Sequence, residues 1–125
     1  MSRSERRRAL LARRLGEPVL ALGYVRVRDS SDSTAGLRLP AAAVVVVTEA
    51  KLRVFSVARG LSRRVGVELA VWDRRSVRIL FDRRSTLTRL TVSLPGERHH
   101  LIVDVPRQSD AALLHVLAGG SVIAA

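Results

Sequence analysis

Two copies of Asp-Arg-Arg-Ser, at residues 73–76 and 82–85, are the first places to look for chemistry in this chain. Paired carboxylates serve general acid–base catalysis only when both reach the same bond. Nine residues of extended chain hold Asp73 and Asp82 about 30 Å apart, at about 3.3 Å per residue, so the repeat reads as a pair of turns. His99 and His100 are adjacent, which on a strand sends them to opposite faces and prevents them from sharing a metal. His115 falls off the leucine stripe of the last helical segment. No His-x-x-x-His pair, glycine-rich phosphate loop or Gly-x-Ser-x-Gly elbow occurs. Nothing orders the serines, histidines and aspartates into a triad. With no cysteine there is no disulfide, thiolate chemistry or cysteine-held zinc. The residues therefore imply a chain without enzymatic activity, catalytic residues, metal, cofactor or small-molecule substrate.

What the sequence does supply is guanidinium. The formal charge is +11, and of 22 basic residues all but Lys51 are arginine. Such a balance attracts nucleic acid or anionic lipid at low salt without conferring specificity. The first fifteen residues hold six arginines against Glu5, which puts +5 of the charge there. Arg6, Arg7, Arg13 and Arg14 are candidate contacts for an anionic membrane surface or for nucleic-acid phosphates. Leu10, Leu11 and Leu15 form the apolar stripe of the same segment and are expected to pack on the rest of the domain. Further arginines, Arg53, Arg78 and Arg89 on strands with Arg74, Arg75, Arg83 and Arg84 in turns, form a candidate basic patch. Nonspecific nucleic-acid binding ranks below a membrane surface and a protein partner. The aromatics needed for base stacking number only four, Tyr24, Phe55, Trp72 and Phe81.

The elements that must position these residues follow from periodicity. Residues 4–15 read as a helix, capped by Ser4 and ended by Gly16. The period then changes to two: Leu20, Leu22 and Tyr24 alternate with Val19, Ala21, Gly23 and Val25, and Arg26 and Arg28 continue the Leu20 side as a solvated face. Asp29 to Gly36 is polar and reads as a flexible loop. In VVVVTEAKLRVF, Val44 to Phe55, two apolar runs flank Thr48-Glu49-Ala50-Lys51, which marks a hairpin turn. Four more strands follow. Val65, Val67, Leu69 and Val71 share one face, opposite Glu68 and Trp72. Val77, Ile79 and Phe81 alternate with Arg78 and Leu80. Leu90, Val92 and Leu94 come next, then Leu101, Val103 and Val105. Arg59-Gly60 and Pro95-Gly96-Glu97 supply turns. A last helix, capped by Ser109, carries Leu113, Leu114 and Leu117 and stops at Gly119-Gly120. One-sided alternation in all seven strands calls for one closed or nearly closed core, whose open end the last helix fills. At 125 residues the chain is a single domain of mainly β class: an Arg-rich helix over 1–15, a seven-stranded antiparallel barrel with its C-terminal α-helix over 16–118, and a tail over 119–125. No run reaches the roughly 18 apolar residues of a membrane span, and no signal-peptide region opens the chain. A cytoplasmic location, at most peripheral to the inner membrane face, is expected.

Seven antiparallel strands followed by one helix resemble the pleckstrin-homology superfold, and more narrowly the bacterial PH-like or GRAM-like domains. The run VVVVTEAKLRVFSV is similar to the V-V-T-x-x-R-L-x-V-F pattern of strands two and three there, with Lys51-Leu52 where Arg-Leu is usual. Gly16-Glu17-Pro18-Val19-Leu20 and Leu69-Ala70-Val71-Trp72-Asp73 through Val77 also look like that family, so the likeness spans residues 16–118. Its lipid-binding members hold inositol phosphates with a lysine on strand one and a basic-x-Arg triplet on strand two. Here Arg26-x-Arg28 ends strand one, Ala43 to Val47 carries no base, and Asp29 and Asp32 occupy the loop. The resemblance thus implies protein recognition rather than a phosphoinositide pocket. It places a partner groove between strand five and the C-terminal helix, near Arg78, Leu80 and His115, suited to an extended acidic segment. Self-association through strand edges is the homo-oligomeric form of the same expectation.

Overall fold

A computed structural model describes residues 3–29, 39–58, 64–93, 100–106 and 111–119. The protein is mainly β, with helices α1 (Arg3–Leu15) and α2 (Ala111–Gly119) flanking seven strands. These are β1 (Val19–Asp29), β2 (Ala42–Thr48), β3 (Lys51–Ala58), β4 (Arg64–Asp73), β5 (Arg78–Arg83), β6 (Leu87–Ser93) and β7 (His100–Pro106). All ladders are antiparallel, and the strands form one sheet in the order β4-β3-β2-β1-β7-β6-β5. The expected barrel is therefore open: β4 and β5, consecutive in the chain, are the two ends of the sheet. The loop over 29–36, apart from Asp29, and the turns at Arg59-Gly60 and Pro95 to Glu97 lie outside the described residues, as do Leu94, His99, Ser109 and Gly120.

Period-two alternation sorts the side chains onto two faces. The inner face gathers Ala21, Val25, Val45, Val47, Leu52, Val54, Leu90, Val92, Leu101, Val103 and Val105 into one core. The sheet must wrap around this core to bring β3 and β6 to it. Leu113 of α2 is fully buried in the same core. It approaches β1 at Gly23, where a Cβ would sit 2.6 Å from Leu113 Cδ2, so any side chain there would have to displace the Leu113 methyl.

The outer face of β1–β3 has its own core. Leu22, Val44, Val46 and Phe55 are buried beneath Leu11 of α1, with Leu15, Tyr24 and Val65 packed around them. The β2 stretch Ala43–Thr48 is consequently buried on both faces. Gly16, at φ +75°, ends α1: its N–H and that of Glu17 both donate to the Ala12 carbonyl, at 2.8 and 3.2 Å. The helix begins at Arg3, so Ser4 stands inside the first turn rather than ahead of it.

The hairpin at Thr48–Lys51 forms as read, with Glu49 and Ala50 between the strands. β4 does not follow its alternation. The β3–β4 register slips between Val54 and Phe55 and again between Phe55 and Val57. The two irregularities turn Ala70 and Trp72 inward and leave Val67 63 % exposed and Val71 exposed. Gly66 makes the slip possible. A Cβ there would lie 2.1 Å from Ser56 Oγ, the oxygen that accepts a 3.0 Å bond from the Val67 N–H.

Candidate functional site

The arginines of the sequence divide into those engaged inside the fold and those left to solvent. Arg53 donates to Glu68 at 2.6 Å and to Glu17 at 3.3 Å; burial alone would lower its pKa, but the two carboxylates raise it. Arg74 is the clamp of the β2–β3 turn. Its guanidinium donates to the carbonyls of Thr48 and Glu49, both at 3.1 Å, and of Val116 at 3.5 Å, tying the hairpin to the last turn of α2. Arg84 pairs with Asp82 at 3.0 Å, within the second Asp-Arg-Arg-Ser turn. Arg89 binds Asp104 through Nε at 2.8 Å. The expected seven-arginine patch is thus reduced to Arg75, Arg78 and Arg83, which are exposed. The other four pair with acids or backbone carbonyls, and of the acids among these Asp104 is the buried one.

Asp104 is the centre of a cluster that spacing could not reveal. It projects from the outer face of β7 with its side chain 3 % exposed, between Arg89 of β6 and Arg28 of β1. Arg28 Nε donates to Asp104 Oδ2 at 2.7 Å. Arg28 is therefore no freely solvated side chain: β1 and β7 pair at Arg26–Asp104 and Val27–Val103, and this brings residues 76 apart into contact. The Arg89 hydrogen bond, outweighing burial and aided by Arg28, holds the Asp104 carboxyl below the ordinary carboxylate range.

Of the candidate anion contacts, Arg6, Arg13 and Arg14 are exposed on α1 and Arg26 on β1. Arg7 is half-buried, its guanidinium 5.3 Å from the Tyr24 ring centre, and Arg14 stands 5.3 Å from that of Phe55. The two cation–π contacts fasten α1 to the sheet it covers. The leucine stripe splits: Leu11 and Leu15 pack as expected, but Leu10 is 67 % exposed. With Leu11 pointing at the sheet, a rise of about 100° per residue leaves Leu10 on the helix flank.

A cleft of about 520 Å³ lies between β5 and α2. Its walls are Val77, Ile79 and Phe81 on one side and Leu117 and Ala118 on the other, with Leu52 between and Glu49, Arg74 and Arg75 beside them. Arg78, Leu80 and His115, expected to border a groove between these elements, do not line this cleft, because Arg78 and Leu80 stand on the other face of the strand. Ile79 and Phe81 oppose the buried Val92 and Leu90, whereas Leu80 opposes Thr91 on the outer face. Leu80 is 70 % exposed there, Arg78 is exposed beside it, and His115 is exposed on α2 without lining the cleft. Phe81, 40 % exposed, is the large apolar side chain of the cleft that is open to solvent.

Asp73 pairs with Lys51 across the β3–β4 ladder and Asp82 with Arg84 in its own turn, so the two acids serve separate places in the fold. His100 shares a 3.0 Å hydrogen bond with Ser93 Oγ. Among the described residues no group of three His, Cys, Asp or Glu is placed to hold a metal ion, and no helix is long and apolar enough to cross a membrane. The chain matches no model of a known protein family and no curated protein sequence.

Proposed function

We propose that this chain is a non-enzymatic, cytoplasmic recognition module of the PH-like kind, which takes an extended apolar segment of a protein partner, or of a second copy, into the cleft between β5 and α2. The cleft itself carries the reading. β5 ends the sheet, so one row of its N–H and C=O groups faces away from β6. Of its inner side chains Ile79 is half-buried and Phe81 exposed, and Val77 just before the strand is half-buried as well. An incoming strand would complete both deficits: main-chain bonds to β5 give affinity, and every second side chain enters the apolar cleft. Arg75 and Arg78 suit an acid flanking that segment. The order of seven strands followed by α2 supports the PH-like assignment.

The test is selection of displayed peptides on the purified full chain, followed by amide chemical-shift mapping. Apolar peptides in extended conformation should be enriched, should shift the amides of β5, and should lose binding in Phe81→Ser. A chain that enriches no such peptide and also sediments as a monomer at high concentration is not a recognition module of this type.

A further inference from the structure

Leu10 is the apolar residue of α1 that packing leaves unused, and its surroundings say what it meets. On a helix the neighbours of residue 10 are those three and four positions away: Arg6, Arg7, Arg13 and Arg14. All four lie within roughly 60° of Leu10 around the axis, at about 100° per residue. The far side of the helix holds Glu5, Ala12 and the half-buried Arg8, with Ala9 about 100° from Leu10. Arg7 and Arg14 reach over Tyr24 and Phe55, which fixes α1 against the β1–β3 face and turns Arg6, Leu10 and Arg13 to solvent. The positive strip continues onto the sheet, because Tyr24 and Arg26 share the outer face of β1 and Arg26 is exposed one alternation further along.

We propose that the solvent-facing side of α1 docks on an anionic lipid bilayer, with Leu10 entering the headgroup–acyl boundary and Arg6, Arg13 and Arg26 meeting lipid phosphates around it. The charge of the strip calls for a polyanion. Two observations favour lipid over nucleic acid. The most exposed residue inside the arginine ring is aliphatic, and an aliphatic side chain gains free energy in a bilayer but little against phosphodiester backbone. The two rings nearest the strip, Tyr24 and Phe55, are each covered by an arginine and are not presented for base stacking. The site is separate from the β5–α2 cleft, so a module could hold a partner segment while seated on the membrane.

The experiment is co-sedimentation of the full chain with vesicles of phosphatidylcholine alone and with phosphatidylglycerol added, at near-physiological salt, beside a single-stranded oligonucleotide in the same buffer. Of the two vesicle preparations only the anionic one is expected to bind, and more tightly than the oligonucleotide does. Arg6→Gln with Arg13→Gln should weaken it about 25-fold, from roughly fivefold for each charge near such a surface. Leu10→Ala should weaken vesicle binding about fivefold while leaving oligonucleotide binding unchanged. Phe81→Ser, outside α1, should bind vesicles as the parent does. Vesicle binding indifferent to Leu10→Ala, tighter binding to the oligonucleotide than to anionic vesicles, or no vesicle binding at all would each overturn the proposal. Because Leu10 is exposed, unchanged circular dichroism of Leu10→Ala is the expected control.

Discussion

β2 and β5 are strands of one sheet with opposite fates. Every residue of β2 from Ala43 to Thr48 is buried, between the main core on one side and α1 on the other. No residue of β5 is buried on either side. Composition does not separate them cleanly, since Ile79, Leu80 and Phe81 are as apolar as Val44 to Val46. Position does. β2 has two strand neighbours and a helix above it, whereas β5 has only β6 and a cleft. The stability of the domain therefore resides around β2, and the proposed capture of another chain is assigned to β5.

Substitutions that break this contrast should rank accordingly. Phe55→Ala, beneath α1, is expected to cost about 3–5 kcal/mol in urea unfolding, because it opens a cavity with no neighbour free to collapse into it. Gly23→Val comes next: the branched side chain has no room beside Leu113, so α2 must lift. A loss of about 1–3 kcal/mol with increased protease sensitivity around residue 113 would mark that displacement. Asp104→Asn is expected to lower Tm by about 5 °C, because Arg28 and Arg89 lose a shared carboxylate. This effect has a pH signature. A depressed pKa means the stabilisation is complete above the unfolded-state value, about 3.9, and is lost as pH falls through the folded value. The gap between parent and Asp104→Asn should then be constant above about pH 5 and narrow below pH 4. Phe81→Ser should move stability least, by less than about 1 kcal/mol, while abolishing peptide capture. A large loss of stability there would mean the cleft is core, and the contrast with β2 would fail.

Much of β2 was legible in the sequence because its information is local. Four consecutive β-branched residues and a short polar break define the hairpin wherever it is placed, and Gly16 marks the end of α1 through its own φ. β4 was not legible. Its valines alternate correctly, but the register is set by Ser56 across the ladder at Gly66, and the two irregularities exchange the faces so that Trp72 points inward. The same holds for the charges. Arg28, Arg89 and Asp104 look like three unrelated polar positions until the β1–β7 pairing joins them. Arg74 looks like a surface turn residue until α2 brings the Val116 carbonyl to it. Arg78, Leu80 and His115, singled out by spacing, do not line the cleft between β5 and α2, whereas Ile79 and Phe81 do, since the tilt of an edge strand depends on what lies across the sheet from it.

The meeting of β1 with β7 sets the order of events in folding. Strands β1 to β4 join through neighbours in the chain, and so do β5 to β7, but among the described residues the two groups pair in the β1–β7 ladder, where Arg26, Val27 and Asp29 find Asp104, Val103 and Ile102. Two locally assembled halves must therefore search for one another across a loop of more than seventy residues. Closing so long a loop late makes folding slow, in the range of milliseconds to seconds. On the ribosome, the far end of β1 waits with an unsatisfied edge until residues 100–106 have emerged.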